Sequence, residues 1–128
     1  MSMFTHIVLG SNDIARSTAF YDAALGALGI DNMGAFREGS MVYGKNGAFG
    51  LLITTPANGE PACHANGGTV GLAAETSAQV DAFHAAGIAN GGTSEGEPGP
   101  RSMPKSYGAY LRDPDGNKLC AFSFDHAG

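Results

Sequence analysis

Few side chains in this 128-residue sequence are suited to covalent or metal chemistry: four histidines, two cysteines and a handful of polar aromatics and cations. His6 lies in an apolar, β-branched stretch, residues 4–9, that reads as a buried strand. There it shares a face with Phe4 and Val8, which suits either a hydrogen-bonded core histidine or one lining a cavity. Cys120 alternates with Phe122 and Phe124, the setting of a small buried hydrophobe more than of a nucleophile. Cys63 and Cys120 form no C-x-x-C pair, and the first six residues lack the basic start and apolar run of a secretory signal. Both thiols are therefore expected to be free, in a cytoplasmic protein. His64 adjoins Cys63 in a Pro/Gly/Asn-rich stretch, while His84, on a helix pattern, and His126 are expected at the surface.

Three further residues fit recognition rather than bond-making. Arg101 follows prolines and glycines in a stretch too polar for a core, where a guanidinium is either solvated or clamps an anionic group. Tyr107 and Tyr110 each combine an aromatic body with a polar tip, suited to packing with the tip at a pocket rim. Nucleotide chemistry is set aside, because no G-x-G-x-x-G links a strand to a helix and no Walker lysine is present.

The elements that must position these residues follow from pattern and punctuation. After the first strand, Ser11, Asn12 and Asp13 supply capping side chains to a helix with Phe20, Tyr21, Ala24, Leu25 and Leu28 on one stripe, closed by Gly26 and Gly29. Strands follow at 34–37, 40–43 and 49–54, the last two joined through Asn46 and Gly47, a strong hairpin signal. A linker rich in Pro, Gly and Asn occupies 56–67. The pattern then restarts with a strand at 69–74 and a helix opened by Thr76 and Gln79 as a capping box, with Val80, Phe83 and Ala86 on its apolar face and Gly87 at its end. A loop over 90–104 leads to strands at 107–112 and 118–124 around the turn at 113–117. Ala19-Phe20-Tyr21 and Ala82-Phe83-His84 correspond at an offset that also carries His6 onto Thr69. The chain is predicted to be one α+β domain over 1–128. It holds two tandem βαβββ modules, about 3–55 and 68–125, forming a cupped, mostly antiparallel sheet with helices outside.

Composition fits this reading and excludes others. Seven Lys and Arg against twelve Asp and Glu give a net charge of −5, without the clustered basic charge that nucleic acid requires. No apolar run approaches the ~20 residues of a membrane span. The 20 glycines exceed the usual ~7% of residues more than twofold. Besides closing turns, Gly67, Gly68 and Gly71 flank Thr69 and leave the inner face of that strand bare, with room for a ligand.

The tandem architecture, the Asp113-Pro114-Asp115-Gly116-Asn117-Lys118-Leu119 ending, the Gly96–Arg101 loop and the run from Tyr107 to Tyr110 together resemble the vicinal oxygen chelate superfamily. Glyoxalase I, bleomycin-resistance proteins and extradiol dioxygenases belong to it. The resemblance implies four positions lining the cup that hold a divalent ion in metal-using members. Carried over, they fall on His6, on Leu51 or Leu52, on Thr69 and on Cys120. Leucine cannot ligate, and a metal wants three or more converging N, O or S donors. No metal cofactor is therefore expected; a divalent ion (Zn, Ni, Mn or Fe), if held at all, would use His6 and Cys120. The resemblance implies a glyoxalase- or bleomycin-resistance-like homodimer binding a small molecule in the cup, with His6, Thr69, Arg101, Tyr107, Tyr110 and Cys120 as binding residues. The alternative it implies is a metal-dependent enzyme, a lactoylglutathione-lyase-like lyase or a dioxygenase.

Overall fold

The computed structural model describes residues 3–126; the sequence readings that touch residues 1, 2, 127 and 128 lie outside the described residues. The first module runs β1 (Ile7–Gly10), α1 (Ile14–Gly26), β2 (Asp31–Gly34), β3 (Ser40–Lys45) and β4 (Ala48–Thr54). The second runs β5 (Val70–Ala73), α2 (Ser77–Ala89), β6 (Thr93–Pro100), β7 (Tyr107–Arg112) and β8 (Lys118–Ser123). Each module folds its strands into a four-stranded sheet, in the orders β1-β4-β3-β2 (sheet A) and β5-β8-β7-β6 (sheet B). In both, the first strand pairs parallel with the last and the other neighbours are antiparallel. The expected tandem βαβββ, α+β fold is thus present, as two separate sheets rather than one continuous sheet.

Local chemistry explains the element ends. The Asp13 side chain accepts from the Arg16 amide at 3.1 Å and caps α1. Thr76 caps α2 through the Gln79 amide at 3.2 Å, while Gln79 reaches back to the Glu75 amide at 2.7 Å, one residue beyond the usual box. Asn46 and Gly47 both have positive φ, 54° and 80°, which gives the β3–β4 hairpin the primed turn its twist needs.

Four local expectations are corrected. β1 begins at Ile7, leaving Phe4 and His6 ahead of it. β2 lies at 31–34, where Asn32 pairs with Tyr43, and not at 34–37. Residues 93–100, expected as loop, form β6; its glycines and prolines are tolerated because it is an edge strand with bulged pairing to β7. Gly87 does not end α2 but sits within it, where a Cβ would collide with Leu111 of the sheet beneath. Gly26 is still the last residue of α1.

One apolar core serves both modules. Phe20, Tyr21, Ala24 and Leu25 of α1 and Val80 and Phe83 of α2 are fully buried in it, together with Leu111, Leu119 and Ala121 of sheet B and Ile53 of sheet A. Each large side chain so buried contributes about 1.5–3 kcal/mol. Strand alternation divides every strand between this helix-covered face and an open one. Ile7 and Leu9 pack on the core while Val8 between them is 48% exposed. In sheet B, Leu119 and Ala121 are in the core and Cys120 and Phe122 are on the open face.

Candidate functional site

Among the described residues, each sheet carries an apolar hollow on its open face. In sheet A a hollow of about 460 Å³ is lined by His6, Met33, Phe36, Val42, Phe49 and Leu52. The His6 ring lies 5.2 Å from that of Phe49, tilted by 33°, and its Nδ1 is 3.0 Å from the Thr5 hydroxyl. In sheet B a hollow of about 490 Å³ is walled by Gly71, Ala73, Met103, Tyr110, Phe122 and Phe124. The Phe122 ring meets Tyr110 edge-on at 5.9 Å, an arrangement favoured by the ring quadrupoles. The two hollows share no lining residue.

Arg101, Tyr110 and Cys120 come together on the open face of sheet B. Tyr110 is the register partner of Cys120, and Cys120 in turn pairs with Gly71, where a Cβ would lie 3.5 Å from the sulfur, in ordinary contact. The Arg101 guanidinium lies 5.6 Å from the centre of the Tyr110 ring. Thr69 is exposed just ahead of β5, on the face that Gly71 continues. His6 lines the hollow of sheet A. Tyr107 points to the helix side, where its hydroxyl donates to Asp81 at 2.7 Å and its ring lies 5.3 Å from that of His126. Hydrogen bonding to Asp81 is the main cause of the raised Tyr107 pKa.

His84 is buried rather than at the surface: its Nε2 lies 2.9 Å from the Ser94 hydroxyl, which donates to Glu97 at 3.0 Å. That group ties α2 to β6. Sequence reasoning also passed over Lys118, whose ammonium is 5.2 Å from the centre of the Tyr110 ring. The signal was available, since Lys118 alternates with Cys120 and Phe122 on one face of β8.

The four positions of the metal-using pattern are divided between the two sheets. Leu52 faces the hollow beside His6 and offers no donor, and Cys120 belongs to the other sheet. Burial pushes the Cys120 thiol above its ordinary pKa, which disfavours the thiolate that would ligate. Among the described residues no three His, Cys, Asp or Glu side chains converge.

The conspicuous acidic turn has a structural task. Asp115, with its side chain 1% exposed, accepts from the Asn12 amide at 3.1 Å, from Arg16 at 3.0 Å and from the Ser17 hydroxyl at 3.1 Å. It therefore fastens the second module to the N-terminal turn of α1, where a carboxylate is favoured by the exposed helix amides.

Two βαβββ modules, each with a helix-covered face and an open, apolar one, define the class of this protein. The sequence pattern of the Glyoxalase/Bleomycin resistance protein/Dioxygenase superfamily matches residues 3–121, and the chain belongs to that superfamily. It is 53% identical to a crystal structure of a glyoxalase/bleomycin resistance protein from Albidiferax ferrireducens, with 95% of this chain and 98% of that one covered and a TM-score of 0.86. A lactoylglutathione lyase from Agrobacterium tumefaciens shares 22% identity at a TM-score of 0.67, covering 98% and 96%. A glyoxalase-related enzyme from Fulvimarina pelagi shares 19% at 0.74, covering 96% and 88%. The last two are likenesses of fold. A comparison with curated proteins finds no match. Among the described residues no helix is long and apolar enough to cross a membrane.

Proposed function

We propose that this protein binds a small organic molecule on the open face of its sheets, without using a metal. The observation that carries this reading is the hollow of sheet B, where Phe122, Phe124, Met103 and Tyr110 form apolar walls beside a strand stripped of side chains at Gly71. Such a mostly apolar concavity with few polar groups is the usual form of a ligand site. A lyase or dioxygenase resting on a chelated metal finds no support in the donor set of His6, Leu52, Thr69 and Cys120.

The protein is further inferred to be a homodimer in which the open face of sheet A in one copy covers that of sheet B in the other. Exposed Val8, Phe36 and Phe49 on one face, and Met103 and Phe124 on the other, support this. The free thiols of Cys63 and Cys120 support a reducing, cytoplasmic setting.

The test is a titration with a neutral apolar fluorophore, N-phenyl-1-naphthylamine. Saturable binding that is lost in Phe122→Ala, with a melting temperature unmoved by Ni, Zn or Mn, supports the reading. A metal-dependent rise in melting temperature that disappears in His6→Ala overturns it. Sedimentation equilibrium checks the dimer, with an expected mass about twice the 13.0 kDa of the chain.

A further inference from the structure

The cations of this chain are few, and they are unevenly placed. Of seven Lys and Arg in a chain of net charge −5, Arg101, Arg112 and Lys118 gather on the open side of sheet B. Arg112 is matched: it lies 3.4 Å from Glu95 and donates to the Gly116 carbonyl at 2.8 Å. Arg101 and Lys118 have no carboxylate within ion-pair distance among the described residues. The other acid nearby, Glu97, spends its carboxylate on Ser94 and lies 3.7 Å from His84. Both unmatched cations sit over the same ring, that of Tyr110, at 5.6 and 5.2 Å.

The placement of Arg101 is built. Its guanidinium donates to the Glu97 carbonyl at 2.7 Å and approaches those of Gly99 and Pro100 at 3.4 Å. At least two of its five N–H groups are left over. Gly96 makes room for this arrangement, since a Cβ there would come within 3.1 Å of the Tyr110 ring and 3.2 Å of the guanidinium. The Gly- and Pro-rich edge strand thus orients an arginine against an aromatic ring. Tyr110 itself lines the apolar hollow, with the Phe122 ring edge-on to it at 5.9 Å. One end of the site is therefore cationic and the other apolar.

We propose that this hollow takes an organic anion. Its flat apolar body would lie along Tyr110, Phe122 and Phe124, and its carboxylate, sulfonate or phosphonate between Arg101 and Lys118. This rests on the small-molecule reading above and adds the charge class of the ligand. Lys118 is a specificity residue in it, supplying a point charge, while Arg101 supplies directed donors.

Two fluorescent probes of similar body and different charge separate the possibilities: 1-anilinonaphthalene-8-sulfonate, and the neutral N-phenyl-1-naphthylamine. The expected result is that the sulfonate binds about tenfold or more tightly than the neutral probe at low salt. That preference should shrink as NaCl rises. Lys118→Met and Arg101→Gln should each lower sulfonate affinity severalfold and neutral-probe affinity much less, while Lys45→Gln on sheet A leaves both affinities as they are. Equal affinity for the two probes, or a preference untouched by Lys118→Met and Arg101→Gln, overturns the charge assignment alone. Binding of neither probe overturns the small-molecule reading and this one with it.

Discussion

The hydroxyl of Tyr21, on the first helix, donates to the carboxylate of Asp113, 92 residues later in the turn between the last two strands, and both are buried. The same carboxylate accepts from the Asn117 side chain at 2.8 Å and from the amides of Asp115 and Asn117 at 2.9 Å. A helix of one module and the signature turn of the other are thereby locked together inside the core. Tyr21→Phe keeps the ring and removes one donor from a carboxylate that retains three. The expected loss is about 1–2 kcal/mol in urea unfolding, with an unchanged slope. Asp113→Ala should cost more, about 3 kcal/mol or above, because it leaves the Tyr21 hydroxyl and the Asn117 groups unpaired in the interior.

Alkaline pH should act on the same contact. Burial, and then the neighbouring Asp113, hold the Tyr21 pKa well above its ordinary value; burial and the bond to Asp22, 2.8 Å away, do the same for Tyr43. A pKa raised in the folded state means that the native protein keeps these protons after the unfolded chain has begun to lose them. Stability is then fully present below about pH 10, the value for an unfolded tyrosine, and declines as pH rises beyond it. Urea midpoints should fall as pH rises above 10. In the double variant Tyr21→Phe, Tyr43→Phe the fall should be shallower. Tyrosinate absorbance at 295 nm should show both phenols ionising only as the chain unfolds.

Much of the fold could be read from the sequence because its signals were local. Asp13 and Thr76 as caps, Asn46-Gly47 as a hairpin and the apolar stripe of Phe20, Tyr21, Ala24 and Leu25 depend on neighbours a few residues away. What escaped depended on partners far along the chain. β6 carries almost no apolar residues and is a strand only because β7 pairs with it. His84 is buried because β6 covers it, through Ser94. Within the candidate site, Arg101 and Tyr110 could be picked out by residue type, but their stacking depends on how the 96–101 segment curls back. Tyr107 and Tyr110 look alike in sequence and fall on opposite faces of β7, a consequence of odd spacing that strand alternation could have settled.

Glycine, the most conspicuous excess in the composition, has different tasks at positions a few residues apart. At Gly44 a Cβ would run into the Met33 sulfur, come within 2.5 Å of the Ala48 carbonyl oxygen and within 2.8 Å of the Phe49 Cα. Backbone cannot give way as a side-chain tip does, so Gly44→Ala should cost about 1–3 kcal/mol and loosen the β3–β4 hairpin. At Gly50 a Cβ would meet nothing within 4 Å. Gly50→Ala should therefore be neutral or stabilising by up to about 0.5 kcal/mol, through reduced freedom of the unfolded strand. Thermal unfolding of the two variants side by side decides this, and equal effects would contradict the close approach at Gly44.

The two thiols provide a direct chemical readout of how tightly the candidate site is packed. Cys63 is exposed, whereas Cys120 is 7% exposed, with its sulfur beneath Gly71 and its pKa pushed up by burial. Reaction with a disulfide reagent goes through the thiolate and needs access, and Cys120 is poor in both. At pH 8 the native protein should release one equivalent of thionitrobenzoate quickly, and the second only slowly or after guanidinium is added. Cys63→Ser should remove the fast phase and leave the slow one. Gly71→Ala, which would place a methyl carbon in ordinary contact at 3.5 Å from the Cys120 sulfur, should slow Cys120 further. Fast reaction at both cysteines would mean that β5 separates readily from β8, and the hollow of sheet B would then lack the fixed wall that selective binding requires.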